Sequence, residues 1–588
     1  MTVEDDRREA ETRQQAVVDH LGEGYVQACP GAGKTLTLVR RLERLSSASA
    51  PRKGVAVLSF TNTAVDEFRE RCHRHGILDR LGFPNFIGTF DGFLNHFLVL
   101  PFGVQGGTSR PVIVDRWNDV EVIPNVPGKQ VRPISLDLFD PVTGLIDLDN
   151  IRDNRIAAVV RQYKGAYELA ARRRRSGLNN KGILCADDAR QLVKHFLADR
   201  PKADAIGKAL AARFNEVIVD EAQDCNTDDV AVLKWLRDHG IPLIIVCDPD
   251  QAIFEFRKGI SGAFSEFVKG FHTLEMNGNF RSSNTICRVA GSMRARAMDM
   301  AVGEHHDTPH PVFLIPYGKK PTSEIGAKFS GLAAKEGIMD RIVLAHRRRL
   351  AEVAAGVPPQ PSGAGGRLAR LARLIVAFQT PAVSGKHREA TLRAMIRLLM
   401  DIEGLPQDDI ISLRRLAESP DADRVYRRKA IEILAGLPNS CAATDIDGWA
   451  ERARTLVACM VTLPVGRTIK QVLPSGGDWQ DALNAPPPVD VPCATVHEAK
   501  GRDYEAVCLV LEKDSANAVA DWERRVSSEV LRVLYVGVTR AKKMLSIAAP
   551  DDLLGRVEEI LVAEKVVCAR APLGAVPAKA RPRNRMLA

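Results

Sequence analysis

Ala28-Cys29-Pro30-Gly31-Ala32-Gly33-Lys34-Thr35 decides how the rest of this chain is read. A short apolar run, Gly24-Tyr25-Val26, precedes it, and Leu36-Thr37-Leu38-Val39-Arg40-Arg41 follows with helical character. Strand, glycine-rich loop and helix are the parts of a phosphate cradle. Glycines let backbone N–H groups turn inward around phosphates, the lysine reaches the β- and γ-phosphates, and the threonine hydroxyl binds Mg²⁺. The helix N-terminus adds its partial positive charge. Ala28 stands where the simple pattern has glycine; the other positions fit. Gly31, Ala32, Gly33, Lys34 and Thr35 are therefore the expected phosphate-binding set, with Thr35 also a metal ligand. The loop by itself does not say what the nucleotide is used for.

Similar apolar runs with polar tips recur outward from the loop. Val55-Ala56-Val57-Leu58 leads into Ser59-Phe60-Thr61-Asn62, and Val217-Ile218-Val219 into Asp220-Glu221-Ala222-Gln223-Asp224. Leu243-Ile244-Ile245-Val246 leads into Cys247-Asp248-Pro249-Asp250-Gln251. Such runs predict buried parallel strands whose carboxyl ends carry the ligand-binding residues. A second set, Ile342-Val343-Leu344, Val507-Cys508-Leu509-Val510-Leu511 and Leu545-Ser546-Ile547, predicts a second α/β domain rather than one larger sheet.

The 588 residues allow three to four domains, and 45% hydrophobic with 26% charged residues is a globular composition. A formal charge of +9 favours a polyanionic partner, although a basic enzyme of another kind has the same balance. Eleven scattered cysteines without a Cys-x-x-Cys pair speak against disulfide frameworks and zinc or iron–sulfur sites. Cys72-His73-Arg74-His75 is read as an exposed helix face, because no second Cys/His pair answers it. A charged N-terminus and the lack of a long apolar run predict a cytoplasmic chain with no membrane partner.

The expected division is as follows. A first α/β domain occupies 1–100 and 191–270 and is interrupted by an insertion at 101–190, helical after Ile151. A second α/β domain occupies 271–355 and 491–560, interrupted at 356–490 by a reduced helical insertion. Helical patterns run from Arg388 to Ile402 and from Ile446 to Met460, between the Pro/Gly-rich linkers Val357–Gly366 and Pro474–Pro488. A tail, 561–588, is expected to be disordered at its end.

Val219-Asp220-Glu221-Ala222-Gln223-Asp224 is the second chemical signal. An acid at a strand end can hold Mg²⁺, which gives Asp220 a metal-binding role, and the neighbouring Glu221 can activate water against a γ-phosphate. Gln223 can orient that water or sense the phosphate.

With the P-loop, this segment resembles the UvrD/Rep family of superfamily 1A DNA helicases. The other expected motifs follow in order. Gln14 stands at the position of the adenine-reading glutamine. Phe60-Thr61-Asn62-Thr63-Ala64 resembles the first DNA-contacting motif, and Gly88-Thr89-Phe90-Asp91-Gly92-Phe93 the next, with Asp91 where the family usually has His. Asp248-Pro249-Asp250-Gln251-Ala252-Ile253-Phe254, followed by Phe256-Arg257-Lys258-Gly259, resembles motif III. Asn279-Phe280-Arg281-Ser282-Ser283 resembles motif IV, Thr495–Tyr504 motif V, and Leu534–Lys542 motif VI.

The resemblance implies two RecA-like P-loop domains with parallel sheets, each carrying a mainly helical insertion subdomain. It implies an ATP- and Mg²⁺-dependent motor on single-stranded DNA and at single/double-strand junctions, with 3′→5′ polarity. Gln251, Arg281 and Arg540 would read the γ-phosphate, the two arginines coming from the second domain. Phe280 would stack on adenine, and Gly501 and Asp503 would lie on the nucleotide side, Asp503 replacing a ribose-binding Glu. The expected DNA contacts are Phe60, Thr61, Asn62, Thr89, Phe90, Phe256, Arg257 and His497. Arg172-Arg173-Arg174-Arg175 and the spaced Arg367, Arg370 and Arg373 are either further phosphate contacts or solvated helix faces, the latter favoured. The second insertion lacks the family's Gly-Ile-Pro-Tyr-like opening and Glu-rich stretch, which leaves strand separation open. The compact layout is similar to the helicase partner of two-component phage-defence systems such as Gabija. The alternative function is accordingly a DNA- or nucleotide-sensing ATPase that regulates a separate nuclease subunit.

Overall fold

The computed structural model describes residues 2–46, 53–102, 111–114, 116–117, 120–129, 131–148, 151, 154–253, 262–294, 299–357, 366–379, 385–405, 420–439, 446–474, 480, 483 and 491–574. The end of the tail, the two Pro/Gly-rich linkers and the pair Phe256-Arg257 fall largely or wholly outside these residues.

Seven apolar runs seen in the sequence become strands of two six-stranded sheets, parallel throughout. Across the first sheet the order is His272–Met276, Gly24–Ala28, Leu243–Cys247, Phe214–Val219, Gly54–Ser59, Phe86–Thr89. Across the second it is Cys493–Thr495, Arg341–Ala345, Tyr504–Val510, Ala541–Pro550, Val312–Tyr317, Cys568–Arg570. Central strands such as Leu243–Cys247 are buried at every residue, so they need apolar side chains on both faces. Helices cover both faces of each sheet. Val39, Leu42, Phe68 and Ile244 pack on one side of the first sheet, and Phe93, Phe214, Leu233 and Ile245 on the other. Leu314, Leu509 and Trp522 lie on one side of the second sheet, with Ile315, Phe329 and Cys508 opposite.

Two boundaries move outward. The first sheet takes in His272–Met276, past the boundary expected at 270, and the second takes in Cys568–Arg570, inside the expected tail. Both are short edge strands without a continuous buried run, and their pattern is too weak to show in sequence.

The first insertion contains the helices Asn154–Gln162 and Lys164–Asn179, but also a parallel pair, Val112–Val114 with Ile183–Cys185, and an antiparallel pair, Glu121–Val122 with Ile134–Ser135. It has its own core around Trp117, Leu136, Phe139 and Tyr167. The second insertion is helical in its described residues. Arg367–Gln379, Gly385–Ile402, Pro420–Gly436 and Ile446–Met460 enclose Leu371, Met395, Leu399, Ile433 and Trp449. No helix among the described residues is long and apolar enough to cross a membrane.

Buried Arg41 ties the phosphate-loop helix both to strand Phe214–Val219 and to the first helix. Arg41, on Lys34–Ser46, donates to Glu216 Oε1 at 2.8 Å and Oε2 at 2.5 Å. Its third nitrogen donates to the carbonyls of Val17 at 2.7 Å and His20 at 2.9 Å, which would otherwise be orphaned at the end of helix Val3–Asp19. Arg41→Met leaves Glu216 buried without its cation and is expected to cost about 3–5 kcal/mol in urea unfolding. Arg41→Met with Glu216→Leu removes both charges and should recover a large part of that loss. An equal loss in both variants would contradict the assignment.

Candidate active site and nucleic-acid interface

The phosphate loop runs from the end of strand Gly24–Ala28 into helix Lys34–Ser46. Gly31 and Gly33 have φ of +73° and +77°, a region that L side chains rarely adopt. A Cβ on Gly31 would lie 2.5 Å from Asn279 Oδ1, and one on Gly33 2.7 Å from Gln14 Nε2. The loop is therefore closed in by Gln14 from the first helix and by Asn279 from the second-domain motif. Gln14 is buried and donates to the Ala32 carbonyl at 2.8 Å. Phe280 is half-buried, and its backbone N–H donates to the Gly31 carbonyl at 2.9 Å, which brings the expected adenine-stacking residue to the loop.

Strand Leu243–Cys247 lies between Gly24–Ala28 and Phe214–Val219, yet the tips of its two neighbours meet. Lys34 Nζ is 3.1 Å from Glu221 Oε1. Glu221 has φ +56°, unusual for a residue with a side chain and costing about 1–3 kcal/mol where it occurs. Its carboxylate is also held by Gln223 Nε2, while Gln223 Oε1 accepts from the Asp248 N–H at 3.2 Å. Gln223 thus orients Glu221 and ties it to motif III.

Burial works to lower the pKa of Lys34, but Glu221 and Asp220 outweigh it and hold the lysine above its ordinary range. Burial likewise works to raise Glu221, and Lys34, Lys500 and Arg540 hold it below the usual carboxylate value. Asp220 is pushed up by burial and by the neighbouring Glu221. Asp220 is buried and Glu221 half-buried, and it is Glu221 that Lys34 pairs with. Thr35, the second residue of the helix, offers a hydroxyl and Asp220 a carboxylate. Two oxygen donors completed by phosphate oxygens suit Mg²⁺, so the residues present fit a hard divalent cation.

The second domain supplies the opposing cations. Arg540, just past helix Glu529–Val538, is buried and donates to Gln251 Oε1 at 3.1 Å, and Gln251 Nε2 donates to Asp248 Oδ2 at 2.8 Å. Burial and the nearby Arg281 push Arg540 down to about 10, so it still carries its charge at neutral pH. Arg281 contacts the Thr539 carbonyl at 3.4 Å and Asp503 Oδ2 at 3.5 Å. Asp503 is also 3.0 Å from Lys542. Burial opposes it, but Arg281 and Lys542 keep the Asp503 carboxyl below its ordinary value. Asp503, expected at the ribose, thus pairs with Arg281 and Lys542. Gly501 turns the chain between the motif V helix and Asp503 with φ +84°.

Lys500, inside the motif V stretch Thr495–Tyr504, has no role assigned from sequence, and the structure gives it one. Its Nζ lies 2.7 Å from both oxygens of Asp224, across the domain boundary, and both side chains are at most 5% exposed. The carboxylate ending Asp-Glu-Ala-Gln-Asp was the available signal. Only the fold could show which cation meets it.

The expected DNA contacts separate into four groups. Phe60 is half-buried at the tip of strand Gly54–Ser59 and stacks on Phe90, centroids 5.4 Å apart at 12°. Phe90 itself is 1% exposed inside the first core, which corrects its expected role: it supports Phe60 and has no face left for a base. Thr61 and Thr89 cap helices, accepting from the N–H groups of Ala64 at 3.2 Å and Gly92 at 3.0 Å, and Asn62 is exposed at the helix start. His497 is half-buried, with Nε2 3.2 Å from the Ile253 carbonyl, so it joins the two domains. Phe256 and Arg257 lie outside the described residues.

Asp91, where a His was expected, pairs with Arg190 at 2.8 Å, and Arg190 also holds Asp229 at 2.5 Å. The four-arginine run divides: Arg172 and Arg173 are exposed, while Arg175 is buried against Asp188 at 3.2 Å. Arg367 pairs with Asp401 at 2.8 Å. Cys72 is buried and His73 and His75 are exposed. Among the described residues no group of three or more His, Cys, Asp or Glu could hold a metal.

A phosphate loop on one parallel sheet, answered by arginines from a second, defines a two-domain P-loop nucleotide machine. Residues 10–272 match the UvrD/REP helicase N-terminal domain, and residues 480–551 match the UvrD-like helicase C-terminal domain. The chain belongs to the UvrD-like helicases of superfamily 1. It is 26% identical over 314 residues to the ATP-dependent DNA helicase UvrD1 of Mycobacterium leprae, covering 48% of this chain and 39% of that one. YjcD of Bacillus subtilis, a putative ATP-dependent DNA helicase by its description, is 21% identical over 603 residues, 92% of this chain and 78% of that one. One component of the ATP-dependent helicase/nuclease of Exiguobacterium sibiricum is 29% identical over 182 residues, 29% of this chain and 15% of that one. The chain thus spans about two-fifths of the mycobacterial relative it matches.

Two outcomes test this geometry. Lys34→Ala should abolish ATP turnover, whereas Arg540→Ala should keep nucleotide binding and lower kcat by about 10³-fold or more, as loss of an arginine finger does. Separately, Phe60→Ala should weaken single-stranded DNA binding by about 1–3 kcal/mol in fluorescence anisotropy, the worth of one stacked base. Phe90→Ala should instead lower the melting temperature, because it opens a cavity in the core.

Proposed function

We propose that the protein is an ATP- and Mg²⁺-dependent translocase on single-stranded DNA that acts at single/double-strand junctions, with 3′→5′ polarity. The observation that carries this reading is the split site. Lys34 and Glu221 stand on the first sheet, while Arg281 and Arg540 come from the second. Phosphoryl transfer needs positive charge around the γ-phosphate and an oriented water, with little covalent chemistry from the protein. Lys34, Arg281 and Arg540 supply the charge, Glu221 takes the proton from water, and Thr35 and Asp220 would hold Mg²⁺, which neutralises developing phosphate charge when bound. Contacts available only when the domains meet make triphosphate favour the closed arrangement. Phe60, with Asn62 beside it, is the stacking and polar surface that such closure would work against.

A second reading is a regulatory ATPase serving a separate nuclease. The likeness to a component of an ATP-dependent helicase/nuclease supports it. One experiment separates them. Purified protein with ATP and Mg²⁺ should displace the strand of a 3′-tailed duplex and leave a 5′-tailed duplex intact. DNA-stimulated ATPase without displacement would favour the regulatory reading, and displacement only from the 5′ tail would overturn the polarity.

A further inference from the structure

Three consecutive carbonyls of the first domain are taken by three side chains of the second. Lys500 Nζ donates to the Gln251 carbonyl at 3.1 Å, and Arg532 Nε to the Ala252 carbonyl at 2.7 Å. His497 Nε2 lies 3.2 Å from the Ile253 carbonyl. The segment follows strand Leu243–Cys247 through the short turn Pro249–Gln251, and Ala252 and Ile253 are buried. Lys500 is anchored again by both oxygens of Asp224, and the Gln251 side chain meets Arg540.

A loop carbonyl buried away from water needs a donor, and here none of the three donors belongs to the loop's own domain. The grip is on backbone, and the Ile253 side chain adds to it, fully buried in the core beside the second sheet. Gln251 faces the phosphate-reading arginine on one side, and beyond Ile253 the chain leads in sequence to Phe256 and Arg257.

We propose that Arg532 and Lys500 are positioning residues. They clamp the Gln251–Ile253 backbone to the second domain, so that nucleotide-driven domain movement and DNA affinity become one equilibrium. The inference rests on the reading of this cleft as an ATPase that responds to DNA. Among the described residues Arg532 donates to the Ala252 carbonyl and to Ser527 Oγ, away from the phosphate loop. Its loss should therefore uncouple the two ligands while leaving turnover in the absence of DNA intact.

The test is a linkage measurement on the full chain. Affinity for a fluorescent oligo-dT is measured with and without a non-hydrolysable ATP analogue, next to ATPase rates with and without DNA. In the unaltered protein the analogue should change DNA affinity by about 5–150-fold, the usual size of such coupling. Arg532→Ala should reduce that change to about twofold or less, with DNA-free ATPase unaltered and DNA stimulation lost, and Arg532→Lys should restore most of it by keeping a donor. Lys500→Met should reduce the coupling as well, with a lower DNA-free ATPase because Lys500 also bears on Glu221. Unaltered coupling in Arg532→Ala would overturn the proposal, as would an equal fall of ATPase with and without DNA.

If the unaltered protein shows neither coupling nor DNA stimulation, the reading under Proposed function falls. The clamp is then judged by energy transfer between dyes at Leu21→Cys and Met339→Cys, in a Cys441→Ser, Cys459→Ser background. An analogue-induced change that is smaller in Arg532→Ala supports the clamp, and one of equal size refutes it.

Discussion

Lys34 and Glu221 face each other at 3.1 Å where the ends of two non-adjacent strands converge, and the rest of the architecture accommodates that pair. A lysine at the start of a helix and two adjacent carboxylates cannot be buried in a low-dielectric space unless each finds compensation. The neighbouring strand supplies Asp248 and Gln251, the first helix supplies Gln14, and the second sheet supplies Arg281, Arg540 and Lys500. Each of these cations is met by a carboxylate, an amide or carbonyl oxygens. Charges held in this way need little reorganisation when a phosphate approaches, which is the condition for electrostatic catalysis.

The same rule explains where the chain departs from its relatives. Asp91 replaces an expected His, and the fold answers with Arg190, which also holds Asp229. This fork joins helix Phe90–Leu94 to helix Thr227–Asp238 through Arg190 on helix Ala186–Ala198. Arg175 shows the reverse case: a residue in a basic run that invites a nucleic-acid reading is used internally, against Asp188 and the Phe139 carbonyl. The second insertion has a core of its own, since Trp449, Leu399 and Leu371 are fully buried among its helices. It therefore keeps the means to hold its shape as a unit.

Much of the fold was legible because parallel strands buried on both faces must be continuous apolar runs, and a phosphate loop must carry glycines where φ is positive. Gly24–Ala28, Val217–Val219 and Leu243–Val246 could be found that way, and so could Gly31, Gly33, Lys34, Asp220 and Glu221. The edge strands His272–Met276 and Cys568–Arg570 could not, because an edge strand is buried on fewer sides and carries a mixed pattern. Phe90 was misread for a related reason. Phe60 and Phe90 have the same chemistry in sequence, and only packing tells which ring is the platform and which its support.

The sequence by itself determined the two α/β domains, the phosphate loop, the strand-end acids and the family to which they belong. Those features rest on local spacing and on the side chains that each backbone conformation tolerates. Tertiary structure alone decided that Asp503 pairs with Arg281, that Lys500 crosses to Asp224, and that Arg532 and His497 reach the carbonyls beyond Gln251. These contacts join residues roughly 220 to 280 positions apart, and those of Lys500, Arg532 and His497 cross from one α/β domain to the other. No periodicity or spacing records such a meeting, because it depends on how two surfaces pack and not on how either chain segment is wound.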